Sequence, residues 1–272
     1  MDFTILGRSL VLASLVVAGS AQAAQPFLTP SIFPAFPIIG GQEVTETDPV
    51  AQIAVAVYDR GGGLCTGSLI DKDLVLTAAH CVEGGATSLN IIFSRNINSL
   101  GSASVLKVLG AETPSTWTGV EHAEGTDQSD IALIRFKGEL PAGYVVANLL
   151  PETEEFTKGQ TALLAGYGIS AATSSDPMGM TAGVLRKVEV TVEGKLGKTE
   201  IILDQTKGQG ACHGDSGGPA YLPKDGKLLL WGVTNRGYPE DAPDDCAHQA
   251  VYTNLNAYRA WLAEATARLR QL

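Results

Sequence analysis

The sequence predicts an all-β protein that closes with a single α-helix. Two patterns carry that expectation. Short runs rich in β-branched and apolar residues recur from Gln52 to Thr253, separated by Gly-Gly, Asn and Asp clusters. Only 257–272 places apolar residues at helical spacing, with Tyr258, Trp261, Leu262 and Ala265 on one stripe. Many short strands without helices between them fit a barrel or sandwich rather than alternating βα units.

The chain begins with Arg8, an apolar run from Leu10 to Ala18, and Ala21-Gln22-Ala23. A basic residue, a short apolar stretch and an A-x-A site predict a signal peptide over 1–23. The run is too short to span a bilayer, and no later stretch is long and apolar enough, so no membrane span is expected in the mature form. Residues 24–37 hold Pro26, Pro30, Pro34 and Pro37 and predict an extended propeptide, since proline at this density blocks helix and central strand. The expected strands are 52–58, 64–70, 74–77, 89–93, 105–109, 131–136, 161–165, 185–192, 200–203, 228–233 and 250–253. Ala171–Ser175 and Glu240–Asp245 read as surface loops, and no internal repeat is present.

Composition narrows the function. The 272-residue chain carries a net charge of −10, and the leader holds one acid, Asp2, and one base, Arg8, so its removal leaves that balance unchanged. No basic run is present to displace phosphate counterions, which argues against nucleic-acid binding. Four cysteines fit two disulfides in an oxidising compartment, and with the signal peptide they predict a secreted protein, extracellular or periplasmic. Sequence alone permits three pairings. The spacings match no common zinc finger or ribbon, so no metal is expected.

Three strings carry chemistry: Thr77-Ala78-Ala79-His80-Cys81, Ser129-Asp130-Ile131-Ala132-Leu133 and Gly214-Asp215-Ser216-Gly217-Gly218-Pro219. A serine hydroxyl is a weak nucleophile unless a base takes its proton. An imidazole can do so when a buried carboxylate fixes its tautomer. Asp130 opens an apolar segment, as a deliberately buried carboxylate would. Gly214–Pro219 also satisfies the G-x-S-x-G elbow of α/β-hydrolases, with His248 and Asp225 or Asp244 as nominal partners. That elbow needs a strand-to-helix turn, whereas the residues after Ser216 read as strand.

In these strings, from Ile38 to the C-terminal helix, the chain resembles the trypsin/chymotrypsin-like serine proteases. The resemblance implies two perpendicular six-stranded β-barrels with a C-terminal helix, a peptidase domain over 38–272, and a join near 140–155. It implies a secreted serine endopeptidase that forms an acyl-enzyme and needs no cofactor. His80 is expected as base, Asp130 as its orienting carboxylate and Ser216 as nucleophile. The amides of Gly214 and Ser216 form the oxyanion hole, and Ser129 and Asn235 are further donors to Asp130. It selects the disulfides Cys65–Cys81 and Cys212–Cys246. Ile38-Ile39-Gly40-Gly41 matches the N-terminus freed when such zymogens are cut, with the Ile38 amine pairing to Asp215. Pro37 departs from the usual arginine or lysine before that bond, so self-activation by tryptic cleavage is excluded. Calcium-binding relatives use an acidic loop, but 94–106 contains no acid.

The specificity pocket is expected to be uncharged. Gly210 stands where trypsin-like members carry a selecting aspartate. Asn235-Arg236-Gly237 replaces the usual serine-tryptophan-glycine wall, and Ala250 replaces a glycine. His213 is placed at the pocket mouth, while His122 and His248 read as solvated. Two alternatives stay open: a carboxylate of Glu240, Asp241, Asp244 or Asp245 folds toward the pocket and accepts a basic side chain, or Arg236 binds acidic substrate groups or pairs with that loop. Expected partners are protein or peptide substrates, an activating protease and protein inhibitors. The competing function is a latent or non-catalytic binding protein on the same scaffold, motivated by Pro37 and the altered wall.

Overall fold

The computed structural model describes Met1, residues 38–101, 103–119, 127–154, 156–171 and 180–239, Ala242, and residues 246–272. The chain divides into two compact units, Met1–Pro34 and Ala35–Leu272, and every described strand and helix belongs to the second. The expected signal peptide and propeptide, His122, most of the 171–175 loop and the four acids of 240–245 lie outside the described residues.

A two-residue strand, β1 (Gln42–Glu43), precedes a closed barrel of six strands: β2 (Ala54–Asp59), β3 (Leu64–Asp71), β4 (Leu74–Thr77), β5 (Leu89–Phe93), β6 (Ser104–Glu112) and β7 (Ala132–Phe136). Their order around the barrel is β2-β3-β4-β7-β6-β5, every pair antiparallel, and β5 returns to β2. The connection onward carries β8 (Asn148–Leu149). A second six-stranded antiparallel barrel follows: β9 (Thr161–Gly166), β10 (Arg186–Leu196), β11 (Glu200–Asp204), β12 (Pro219–Lys224), β13 (Lys227–Tyr238) and β14 (Gln249–Asn254). It closes through β9–β10 pairing, while β8 adds parallel to β13. Closure removes the exposed edges that an open sheet of this size would present.

The strand patterns follow from what each face covers. Val75 of β4 enters the first barrel's interior with Val55, Val57, Ile91, Phe93 and Phe136. Its neighbours Leu74 and Leu76 belong to a separate layer with Leu163, Ala165, Tyr167 and Leu230 of the second barrel. Both faces of β4 are therefore dry, which explains a continuous apolar run where a half-exposed strand would alternate. In β10 the inward series Val188, Val190, Val192 alternates with more exposed residues and packs with Leu203, Trp231 and Tyr252 inside the second barrel.

The helix begins later than expected. Asn254 caps a 3₁₀ turn over Leu255–Tyr258, with its Oδ1 accepting from the Asn256 amide at 3.1 Å, and α1 (Arg259–Leu269) then buries Leu262, Ala265 and Leu269. The cap starts the turn in the tighter i→i+3 form, and the α register follows. Strands β6, β10 and β13 run past their expected ends, because Gly110, Gly194 and Gly237 are accommodated within paired backbone instead of breaking it. Both disulfides form as expected, Cys65–Cys81 and Cys212–Cys246.

Candidate active site

His80 starts a single 3₁₀ turn immediately after β4, behind the fully buried Ala78 and Ala79. Asp130, only 1% exposed, lies just before β7. Strands β4 and β7 are hydrogen-bonded partners with Thr77 opposite Ala132, so their ends bring the two residues together. The carboxylate then grips the histidine twice. Asp130 Oδ1 accepts from the His80 backbone amide at 3.0 Å, and Oδ2 lies 2.8 Å from His80 Nδ1. An acceptor at Nδ1 holds a proton there and leaves Nε2 as the basic nitrogen.

The second barrel supplies the other side. The Thr253 hydroxyl of β14 donates to the Asp130 carbonyl at 2.9 Å. In β13 the pairing with β14 slips between Thr234 and Arg236, which makes Asn235 the extra residue of a bulge. A bulge redirects the side chain it carries. With its amide nitrogen toward the aspartate, Asn235 donates to Asp130 Oδ2 at 3.1 Å and accepts from Arg236 Nη1 at 3.1 Å. Ser129, also expected as a donor, instead accepts from the Thr116 hydroxyl at 2.8 Å and the Tyr258 hydroxyl at 3.1 Å. Its φ of 59° turns it away from the carboxylate it precedes.

Ser216 shares a cavity of about 300 Å³ with His80 and Asp130. The loop that carries it is fastened to the first barrel, with the Ser216 carbonyl accepting from the Thr66 amide at 2.8 Å and the Gly214 carbonyl from the Thr66 hydroxyl at 3.0 Å. Gly217 must be glycine, because an added Cβ would lie 2.0 Å from Thr77 Oγ1 at a φ of +78°. Among the described residues the amides of Gly214 and Ser216 have no hydrogen-bond acceptor. Asp215 points the other way and is fully buried. It accepts from the amides of Gly168 at 2.8 Å and Cys212 at 2.9 Å, yet burial outweighs these bonds and pushes its carboxyl up to about 7.

At the specificity end the cavity is lined by Gln205, Ala211, Arg236, Gly237, Cys246 and Ala250, with the exposed His213 at its edge. Gly210 lies at this end, bridged to Ile39. Gln205 was not anticipated from sequence. It is 1% exposed, its Nε2 donates to the carbonyls of Ala211 and Cys246 at 3.1 and 3.3 Å, and its Oε1 accepts from the Ala211 amide at 2.6 Å. A neutral, fully bonded amide therefore fills the space that a Gly210 side chain would need. Arg236 lines the wall as expected, but its guanidinium is held in a two-pronged pair with Glu200, both bonds at 3.1 Å, with side-chain exposures of 8% and 0%. Glu200, a lone acid opening a strand, gave no signal in the sequence.

Two His/Cys groupings, Cys65–His80–Cys81 and Cys212–His213–Cys246, bring ligand-type atoms within 4.8 Å. Their sulfurs are joined as disulfides and offer no thiolate to a metal.

Two closed barrels with serine, histidine and aspartate lining one cleft define the chymotrypsin-type class of serine peptidases. The chain belongs to the trypsin family, whose profile matches residues 38–262, and it is a serine endopeptidase. It is 28% identical to a chymotrypsin of Phaedon cochleariae over 88% of this chain and 85% of that protein. Identity to trypsin alpha-4 of Lucilia cuprina is 27%, covering 84% and 87%. Identity to chymotrypsin-like elastase family member 1 of Rattus norvegicus is 26%, covering 94% and 97%.

The packing around Gln205 generates a prediction. Gly210→Ala places Cβ 2.2 Å from Gln205 Cδ, and the three bonds on that amide resist its displacement. The variant should lose about 2 kcal/mol or more of stability, and Gln205→Ala in the same chain should recover little of it, because an alanine at a φ of +155° stays strained and the buried Ala211 amide loses its acceptor. Urea denaturation measures both; a Gly210→Ala chain as stable as the parent would contradict the packing.

Proposed function

We propose that this endopeptidase cleaves peptide bonds beside small or apolar side chains through a Ser216–His80–Asp130 triad. The observation that carries the reading is the double contact between His80 and a buried Asp130 in the cavity that also contains Ser216. Ser216 Oγ attacks the scissile carbonyl carbon while His80 Nε2 takes the hydroxyl proton. The developing oxyanion turns to the amides of Gly214 and Ser216, an interaction worth about 3 kcal/mol in sites of this kind. The carbon–nitrogen bond then breaks, the leaving amine receives the proton from His80, and water repeats the sequence in reverse roles to release the acyl group. Asp130 holds the Nδ1 proton in place and stabilises the imidazolium.

A fluorophosphonate probe, which traps an activated serine, tests this directly. The chain trimmed to begin at Ile38 should be labelled, and the same chain with Ser216→Ala should not. Absence of labelling in both the trimmed and intact chains would favour the non-catalytic reading.

The neutral Gln205 at this end of the cavity, with Gly210 packed beside it, supports the substrate class, and Ala250, 3% exposed, adds a methyl to the wall. Among the described residues no carboxylate lines this end of the cavity to compensate the desolvation of a buried arginine or lysine side chain. In a peptide library varied at the residue before the cut, alanine, valine or leucine should exceed arginine and lysine by about tenfold or more in kcat/KM. Preference for a basic residue would reject the assignment.

We further propose export, with removal of 1–23, and activation by an external protease that frees Ile38. Ile38 is fully buried in the second barrel's core, and Asp215 is a desolvated carboxylate suited to a cationic partner. The new α-amine would supply that charge and order the loop beneath the oxyanion amides. In the uncut chain Asp215 has a folded pKa of about 7 against an ordinary 3.8. The folded form therefore keeps a proton that the unfolded form loses, and stability falls as pH rises across that interval. Freeing the amine should offset this loss, so cutting before Ile38 should raise Tm more at about pH 7.5 than at about pH 5. A gain that is equal at both pH values would count against the pairing.

A further inference from the structure

Behind the triad lies a second charged pair that the reaction does not touch. Glu200 opens β11 opposite Thr253 of β14, and its carboxylate is fully buried. It holds both terminal nitrogens of Arg236 and also accepts from the amide of Gln128, two residues before Asp130, at 3.0 Å. Arg236 Nη1 in turn faces the side-chain amide of Asn235.

An asparagine amide has a direction, and at this position the direction matters. With nitrogen toward Asp130 it joins a donor to Asp130 Oδ2 at 3.1 Å and an acceptor to Arg236 Nη1 at 3.1 Å. Turned over, it sets its oxygen against the buried carboxylate and its nitrogen against the guanidinium. In that orientation it keeps only longer contacts from Nδ2 to Thr253 Oγ1 at 3.3 Å and to Glu200 Oε1 at 3.4 Å. The amide thus stands between a site that demands a donor and a cation that demands an acceptor. Glu200 fixes that cation in place and, with both prongs occupied, competes less for the amide nitrogen.

We propose that the Arg236–Glu200 pair is a positioning device that sets the polarity of the Asn235 amide, so that the amide always donates to Asp130. The proposal rests on the reading of Asp130 as the triad carboxylate. It assigns Arg236 a role in kcat, through Asn235, in addition to its place in the cleft wall. A serine at position 235 would not need the device, because a hydroxyl rotates to donate wherever an acceptor lies. An amide offers two orientations of similar shape and opposite polarity, and something outside it must choose.

A double-mutant cycle on the trimmed enzyme isolates this coupling. The pair is replaced without leaving a lone buried charge by Arg236→Met with Glu200→Gln. In the Asn235 enzyme this replacement should lower kcat by about tenfold or more. In the Asn235→Ser enzyme the same replacement should lower kcat by less than about threefold, while any change in KM from the altered wall appears equally in both. An equal loss of kcat in both backgrounds overturns the proposal. Neutron diffraction on the unmutated enzyme decides independently of whether the variants fold. Deuterium density on the Asn235 atom facing Asp130 is expected, and density on the atom facing Glu200 and Thr253 overturns it. Fluorophosphonate labelling of the unmutated enzyme reports on the triad reading separately, so failure of that reading and failure of the coupling remain distinguishable.

Discussion

A carboxylate that is 1% exposed has to be satisfied completely, and Asp130 imposes that demand on both barrels. The His80 amide and Nδ1 come from the turn after β4 and the Asn235 amide from the bulge in β13, while the Thr253 hydroxyl of β14 holds the backbone carbonyl of the same residue. Each donor is in place only if its strand holds the correct register. A one-residue slip in β13 would move Asn235 to the opposite face of the sheet. The bulge between Thr234 and Arg236 secures that register and aims the side chain across the junction between the barrels. The barrels are thus joined by polar requirement as well as by the apolar layer of Leu74, Leu76, Leu163 and Tyr167.

The loop that carries Ser216 depends on the same junction. Thr66 of β3 contributes its amide to Ser216 and its hydroxyl to Gly214, and the hydroxyl also accepts from the Tyr167 amide at 3.1 Å. One residue of the first barrel therefore registers a loop of the second to within a hydrogen bond. The disulfide Cys65–Cys81 joins the neighbour of Thr66 to the neighbour of His80, and the Cys81 sulfur lies 3.7 Å from the Ser216 carbonyl oxygen. The histidine and serine segments are held against a common covalent brace, which limits how far they can drift apart.

Much of this was legible in the sequence because it is written locally. The His80, Asp130 and Ser216 strings each combine a reactive residue with neighbours that only a tight turn or a buried strand end requires. The apolar run 74–76 and the alternation in 185–192 announce β4 and β10 by what their faces cover. Polar residues whose partners are distant in sequence were not legible. Glu200 and Gln205 look like ordinary polar residues at the two ends of β11 until folding sets them against Arg236 and Ala211. Strands β1 and β8 have only two residues each and carry no periodicity to detect. Ser129 misled for a related reason: adjacency to Asp130 in sequence does not fix where its hydroxyl points, and a positive φ turns it toward Tyr258.

Relatives named chymotrypsin, trypsin and chymotrypsin-like elastase stand at 28, 27 and 26% identity, nearly equal distances from this chain. Likeness at that level assigns the family and leaves the preferred side chain to a few positions at the pocket's end. In this chain those positions are interlocked: Gln205 is bonded to Ala211 and Cys246, and its side chain closes the room beside Gly210. An acid introduced at 210 would meet the amide before it met a substrate. A change of charge at 210 therefore has to be accompanied by a change at 205, because the two positions share one space.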